Sequence, residues 1–249
     1  MKIGYYKHWS ENLGREVEYK TFGYAGRGVL VFPSQDQRFY EWEDNGMVAT
    51  LVPMIESGDF HLICCDSIDA ETWSLSDGNQ NERIQLHERW FHYITDELIP
   101  AVCNGQKLIV TGCSMGGYHA ANFFFRRPDL FDGIVSLSGL FHADYFFPEY
   151  NNALIYRNSP IDYLGNAGNY NLIVRELKNK TMIFCCGRGY YEDITGESTA
   201  RLGNILNRLG VDAWVDFWGN DVSHDFYWWR CQAKYFFEKI AAGNISKAA

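Results

Sequence analysis

LIVTGCSMGGYHAANFFFRRP, residues 108–128, is the stretch that decides the fold. It opens with apolar, β-favouring residues that do not alternate with polar ones, as in a strand covered on both faces. It closes as an amphipathic helix. Between the two stand only Gly112-Cys113-Ser114-Met115-Gly116-Gly117. A chain that turns from strand to helix over so few residues has no room for bulk beside the corner. Serine at the apex, with glycine two before and two after, is the G-x-S-x-G arrangement that presents a nucleophilic hydroxyl. The plainer reading makes Ser114 a helix N-cap, a position serine favours. The immediate strand–turn–helix setting favours the nucleophile.

Outward from this turn, strand-length apolar runs recur: REVEYKTFG (15–23), GVLVFPS (28–34), FHLICCD (60–66), KLIVTGC (107–113), GIVSLSG (133–139), TMIFCCG (181–187) and DAWVDFWG (212–219). The first alternates, with Val17, Tyr19 and Thr21 on one face, which suits an antiparallel edge strand. Helical patterns lie between the runs. GMVATLVPMIESG carries Pro53, which opens or kinks it. NERIQLHERWFHYITDELIPAVC places Ile84, His87, Phe91, Ile94, Leu98 and Val102 on one stripe. MGGYHAANFFFRRP, ESTARLGNILNRLG and DFYWWRCQAKYFFEKIAA complete the set.

Strands alternating with helices predict an α/β fold with a mainly parallel central sheet flanked by helices. With no internal repeat or low-complexity linker, a single domain over 1–249 is expected. Residues 140–168 are aromatic, contain two prolines and lack a clean period. They predict a short cap-like insertion over the C-terminal edge of the sheet, where open α/β sheets bind ligands.

A serine hydroxyl needs a base, and the base needs an orienting carboxylate. In an α/β-hydrolase arrangement the chain order is serine, acid, histidine. Of seven histidines, His8, His61, His87 and His92 precede Ser114, and His119 lies on the helix leaving it. His224, in the loop WGNDVSHDFYWWR after the last strand, is the expected base; His142 falls in the insertion. The acid should follow TMIFCCG, where GRGYYEDITG offers Glu192 and Asp193. Glu192 is favoured, with Asp193 as the alternative that starts the next helix. Asp225 is too close in sequence to reach its neighbour's imidazole edge. An oxyanion hole would draw one N–H from Met115 and a second from the turn PSQDQ. Pro33 has no N–H, leaving Ser34 or Gln35.

Net charge is −9 over 249 residues, which argues against nucleic-acid or anionic-membrane partners. No segment reaches the ~18 apolar residues of a membrane span. Seven scattered cysteines, none in a C-x-x-C pair, read as core thiols rather than metal ligands or disulfides. A cytoplasmic enzyme without metal or cofactor is expected, with a homodimer as the default for its class.

GCSMGG, CGRGYYED and WGNDVSHDFYWWRCQ, with GRGVLVFPSQDQRFYEWEDNGM and CCDSIDAETWS, resemble the esterase D-like (putative esterase) family of the α/β-hydrolase superfamily over nearly the whole chain. That family includes S-formylglutathione hydrolases, feruloyl and acetyl esterases, enterochelin esterases and mycolyltransferases. Phe32-Pro33 stand where it often has His-Gly, and the acid loop departs from the common G-x-x-D form. The resemblance implies an α/β-hydrolase fold and a serine hydrolase acting on a small-molecule ester through Ser114, His224 and Glu192 or Asp193. An acyltransferase would use the same triad, and a non-catalytic binding protein could keep the fold alone. Tyr190, Tyr191, Trp218, Trp228, Trp229 and Trp73 are candidate pocket walls, although core packing is the ordinary role of such residues.

Overall fold

The computed structural model describes residues 1–149, 152–168 and 172–244. The strands are β1 (Ile3–Ser10), β2 (Arg15–Phe22), β3 (Arg27–Phe32), β4 (Phe60–Cys65), β5 (Leu108–Cys113), β6 (Phe131–Leu137), β7 (Thr181–Cys186) and β8 (Trp214–Phe217). They form one sheet in the order β1-β2-β4-β3-β5-β6-β7-β8. The β1/β2 and β2/β4 pairs are antiparallel and the pairs from β3/β4 to β7/β8 are parallel.

The helices are α1 (Glu41–Asp44), α2 (Met47–Glu56), α3 (Gln80–His92), α4 (Ile99–Val102), α5 (Met115–Arg126), α6 (Ala153–Arg157), α7 (Pro160–Gly165), α8 (Leu172–Leu177), α9 (Asp193–Arg208) and α10 (Phe226–Ala241). Alternate residues of the central strands feed two cores, as a sheet with both faces covered requires. Leu30 and Phe32 join a core with Phe91, Ala120, Phe124 and Leu202 of α3, α5 and α9. Val29 and Val31 join another with Leu51, Phe236 and Phe237 of α2 and α10.

Two expectations are corrected. The alternating run 15–23 is an antiparallel strand, but β1 pairs along its outer side and is itself the edge. Val17 and Tyr19 are buried on the shared face as read. The helical pattern at 81–103 is not one α-helix: a π-helical turn, Tyr93–Leu98, joins α3 to α4. One slipped turn keeps Phe91, Ile94 and Leu98 all buried in the same core. The insertion contains short helices, α6 and α7, despite its irregular pattern.

The insertion is anchored by a buried polar hub at Asn158. Its Oδ1 accepts from Asn122 Nδ2 at 2.7 Å and Arg126 NH1 at 2.6 Å, and its Nδ2 donates to Glu88 Oε1 at 2.7 Å. His87 donates to it through Nε2 at 3.0 Å while its Nδ1 accepts from the Trp73 indole, also at 3.0 Å. Burial holds the His87 imidazole well below its usual pKa, as expected of a neutral ring in this network. Tyr118 OH donates to the Asn158 carbonyl at 2.6 Å. The insertion is thus tied to α3 and to α5, the helix that leaves Ser114.

Candidate active site

β5 ends at Cys113 and α5 begins at Met115, so Ser114 alone makes the turn, at φ 55° and ψ −121°. A non-glycine residue at positive φ is held there only by strong surroundings. The Ser114 N–H donates to Leu137 O at 2.8 Å, fixing the corner against β6. The glycines are required by contact. A Cβ on Gly112 would lie 2.4 Å from the Gly116 backbone, and one on Gly116 would lie 2.4 Å from Phe32 O and 2.6 Å from Pro33 O. Backbone atoms in a packed sheet cannot give way cheaply. Gly116→Ala is expected to destabilise the fold by about 3 kcal/mol, lowering Tm by roughly 6–12 °C in a thermal melt.

Ser114 makes no side-chain cap bond to α5, which removes the N-cap reading. Its hydroxyl donates instead to His224 Nε2 at 2.8 Å, between residues 110 apart in the chain. His224 Nδ1 donates to Glu192 Oε2 at 3.1 Å. The loop bearing Glu192 is knit to the loop bearing His224 by Gly189 N–H to Val222 O at 2.9 Å and His224 N–H to Tyr190 O at 3.0 Å. Asp225, next to the imidazole, caps α10 by accepting from Tyr227 N and Trp228 N.

Glu192 is 2% exposed. Ser138 Oγ donates to its Oε1 at 2.6 Å, and Thr195 Oγ1 to its Oε2 at 2.5 Å. Cys186 Sγ approaches Oε2 at 3.2 Å and Gly187 N–H approaches Oε1 at 3.4 Å. Burial pushes this carboxyl up, but the bonds from His224, Ser138 and Thr195 more than offset it, and its pKa lies below the usual carboxylate value. Asp193 is exposed and opens α9.

A cavity of about 270 Å³ opens over Ser114, lined by Gln35, Met115, Leu140, Tyr145, Phe146, Tyr191, Ile194, Thr195 and His224. The insertion supplies Leu140, Tyr145 and Phe146. Of the aromatic residues read as walls, Tyr191 lines this cavity. Trp73 lies beneath it against Phe146, ring centres 5.6 Å apart, and Trp229 lies behind His224. Trp218 packs on Tyr235 and Phe236. A wider cleft of about 700 Å³ between α7 and α9 includes no residue of the Ser114 cluster.

His142 is paired with Asp144 and Asp162 in the insertion. His119 is fully buried, with Nε2 2.8 Å from Asp69 Oδ1. Ser34, expected as an oxyanion donor, gives its N–H to Glu41 Oε2 at 2.8 Å, and its hydroxyl also bonds that carboxylate. Gln35 donates through Nε2 to Ser74 Oγ at 2.9 Å. Ser138 was not singled out by sequence. Its signal was slight: a serine just past the C-terminal end of a strand, at the edge where the site forms.

A hydroxyl, an imidazole and a buried carboxylate in line on a mainly parallel sheet define the class of α/β-hydrolases. The chain belongs to the family described as "Putative esterase", whose sequence profile matches residues 28–237. It is a serine hydrolase of carboxylic esters. No curated protein sequence matches it. Among solved structures it is similar to a ferulic acid esterase at 16% identity, with 97% of each chain covered and a TM-score of 0.73. It is also similar to an S-formylglutathione hydrolase from Agrobacterium tumefaciens, at 14% identity, covering 98% of this chain and 95% of that one, TM-score 0.73. A third, the S-formylglutathione hydrolase FrmB from Staphylococcus aureus, shares 15% identity over 96% of this chain and 97% of its own, TM-score 0.69.

Proposed function

We propose that Ser114, His224 and Glu192 are nucleophile, general base and orienting acid of an esterase that works through an acyl-serine intermediate. The observation that carries this is the pair of hydrogen bonds, 2.8 and 3.1 Å, that join the three side chains in line. The ionised Glu192 fixes the His224 proton on Nδ1, which leaves Nε2 as the acceptor facing Ser114. In acylation, Oγ bonds to the ester carbonyl carbon as its proton passes to Nε2, and the carbonyl oxygen becomes an oxyanion. The C–O bond to the alcohol then breaks, and His224 returns that proton to the departing alkoxide. Water repeats the sequence on the acyl-serine, with His224 again as base.

The Met115 N–H, at the start of α5, is the first oxyanion donor in this reading. Because Ser34 is committed to Glu41, the Gln35 N–H is the second. Glu41 would then serve to hold the turn that aims Gln35 at the cavity. The apolar lining from Leu140, Tyr145, Phe146, Tyr191 and Ile194 suits an uncharged ester, since the described residues of the wall include no lysine or arginine.

Among the described residues no helix is long and apolar enough to cross a membrane. All seven cysteines are free thiols, which supports a reducing compartment, and we assign the cytoplasm on that ground.

A fluorophosphonate probe tests the reading without knowledge of the natural substrate. Mass mapping is expected to find a single adduct on Ser114, formed in competition with p-nitrophenyl acetate. An adduct elsewhere, or none from protein that turns the ester over, would refute it.

A further inference from the structure

Ser138 is the first residue beyond β6, and the backbone turns left-handed there, at φ 52°. It is completely buried, and its N–H donates to Cys185 O at 2.7 Å. A serine is held in this conformation only where its surroundings offset the strain. The turn aims the side chain at the carboxylate of Glu192, 54 residues away, with a donated bond of 2.6 Å. The same oxygen accepts the indole N–H of Trp229 at 3.0 Å.

Trp229 lies on the first turns of α10, five residues after His224 in sequence. Its ring meets the His224 imidazole edge-on, centres 4.8 Å apart at 81°. The contacts therefore close a circuit: Trp229 to Ser138 by a hydrogen bond, Ser138 to Glu192, Glu192 to His224, and His224 back onto the Trp229 ring. Because the serine oxygen already receives the indole hydrogen, its own hydrogen has a fixed direction, toward Oε1 of Glu192. A donor polarised by a second donor binds a carboxylate more strongly than a free hydroxyl does.

We propose that Ser138 and Trp229 act together as positioning residues, holding Glu192 ionised and the His224 ring in the plane that faces Ser114. The inference rests on the assignment of Glu192 and His224 made above. It extends that assignment to two residues that need not touch substrate.

The sign of the expected effect follows from charge. A carboxylate that loses a donor is easier to protonate. Once protonated it no longer orients the His224 ring, so the acid limb of activity moves to higher pH. The other titratable groups facing Glu192 are the thiols of Cys186, Cys185 and Cys113, which burial pushes up and keeps protonated. Glu192 is thus left as the group on which the substitutions act.

The test uses p-nitrophenyl acetate with Ser138→Ala, Trp229→Phe and the double variant, between about pH 4 and 9. Ser138→Ala is expected to lower kcat about tenfold with KM within about twofold. Its acid limb in kcat/KM should move up by about one pH unit, the size of one hydrogen bond to an ionised carboxylate. Trp229→Phe keeps a ring against His224 but loses the N–H, so the limb should move the same way by less. The double variant should be no slower than Ser138→Ala alone, because the indole acts through the serine.

An unmoved limb overturns the proposal, as do additive losses or a rise in KM at constant kcat. If Ser138→Ala does not fold, Ser138→Gly, which suits positive φ, takes its place beside Trp229→Phe. Fluorophosphonate labelling of the unmodified protein separates the two readings. Label on Ser114 with no shift in the limb sinks this proposal alone, and absence of that label sinks both.

Discussion

Ser114→Ala is expected to lower kcat for p-nitrophenyl acetate by at least about 10⁴-fold and to abolish fluorophosphonate labelling, while the protein melts within about 2 °C of the parent. The two halves of this result have different physical origins. Alanine retains the Cβ, so the strain at φ 55° is carried over unchanged. The bonds that hold the corner, Ser114 N–H to Leu137 O and Tyr118 N–H to Ser114 O, are backbone bonds and survive. What is lost is a partly exposed hydroxyl with one side-chain hydrogen bond, to His224. Removing such a bond at a cavity open to solvent is expected to cost little, because water can take the place of the serine at Nε2. Chemistry has no such replacement. A water at that position is neither fixed at the elbow nor able to form the acyl-serine, so only the oxyanion donors and substrate binding remain to speed the reaction. Turnover that survives the substitution would place the nucleophile elsewhere.

The elbow was legible because its meaning is local. Strand β5, the glycines and α5 are consecutive, and the steric demand that selects Gly112 acts against the Gly116 backbone four residues on, although Gly116 itself is selected by the distant backbone at the end of β3. His224 was reached by chain order, since one histidine follows the last strand. β1 was not legible: IGYYKHWS presents aromatic and polar residues to both faces, and most of the strand is exposed, as at Tyr5 and Trp9. An edge ribbon paired on one side carries no burial pattern to read. The π-helical turn escaped for a different reason, because a one-residue slip preserves the apolar stripe that revealed the helix. Ser138 lies outside such reasoning altogether. Its role depends on a left-handed turn at an unremarked serine and on two partners, 54 and 91 residues away, brought in by β7 and α10.

Glu192→Gln should lower kcat by about 10²–10⁴-fold, whereas Asp193→Asn should stay within about twofold. The contrast follows from what surrounds each carboxyl. Both Glu192 oxygens are approached by donors: Ser138 O–H and Gly187 N–H at Oε1, and His224 N–H, Thr195 O–H and Cys186 S–H at Oε2. An amide of the same shape must turn its NH₂ toward one of these sets. Turned toward His224, it requires Nδ1 to accept, which sends the imidazole proton to Nε2. Nε2 then cannot take the Ser114 proton. Turned toward Ser138, it opposes the Gly187 N–H and disrupts the bond that orients the carbonyl. Neither orientation leaves the base as it was.

The variant should also change the response to acid. Because the folded pKa of Glu192 lies below its ordinary 4.5, the carboxylate contributes stability that is fully present above that value and is lost as pH falls below it toward the folded pKa. Glu192→Gln has no such group, so its Tm should fall less than the parent's between about pH 5 and pH 3. Asp193, exposed at the start of α9, contributes only its interaction with the helix dipole, about 0.3–1 kcal/mol. Its amide variant should be slightly less stable and almost fully active. Equal, mild losses from the two substitutions would mean that neither carboxyl orients His224, and the ionised acid would have to be sought outside this loop.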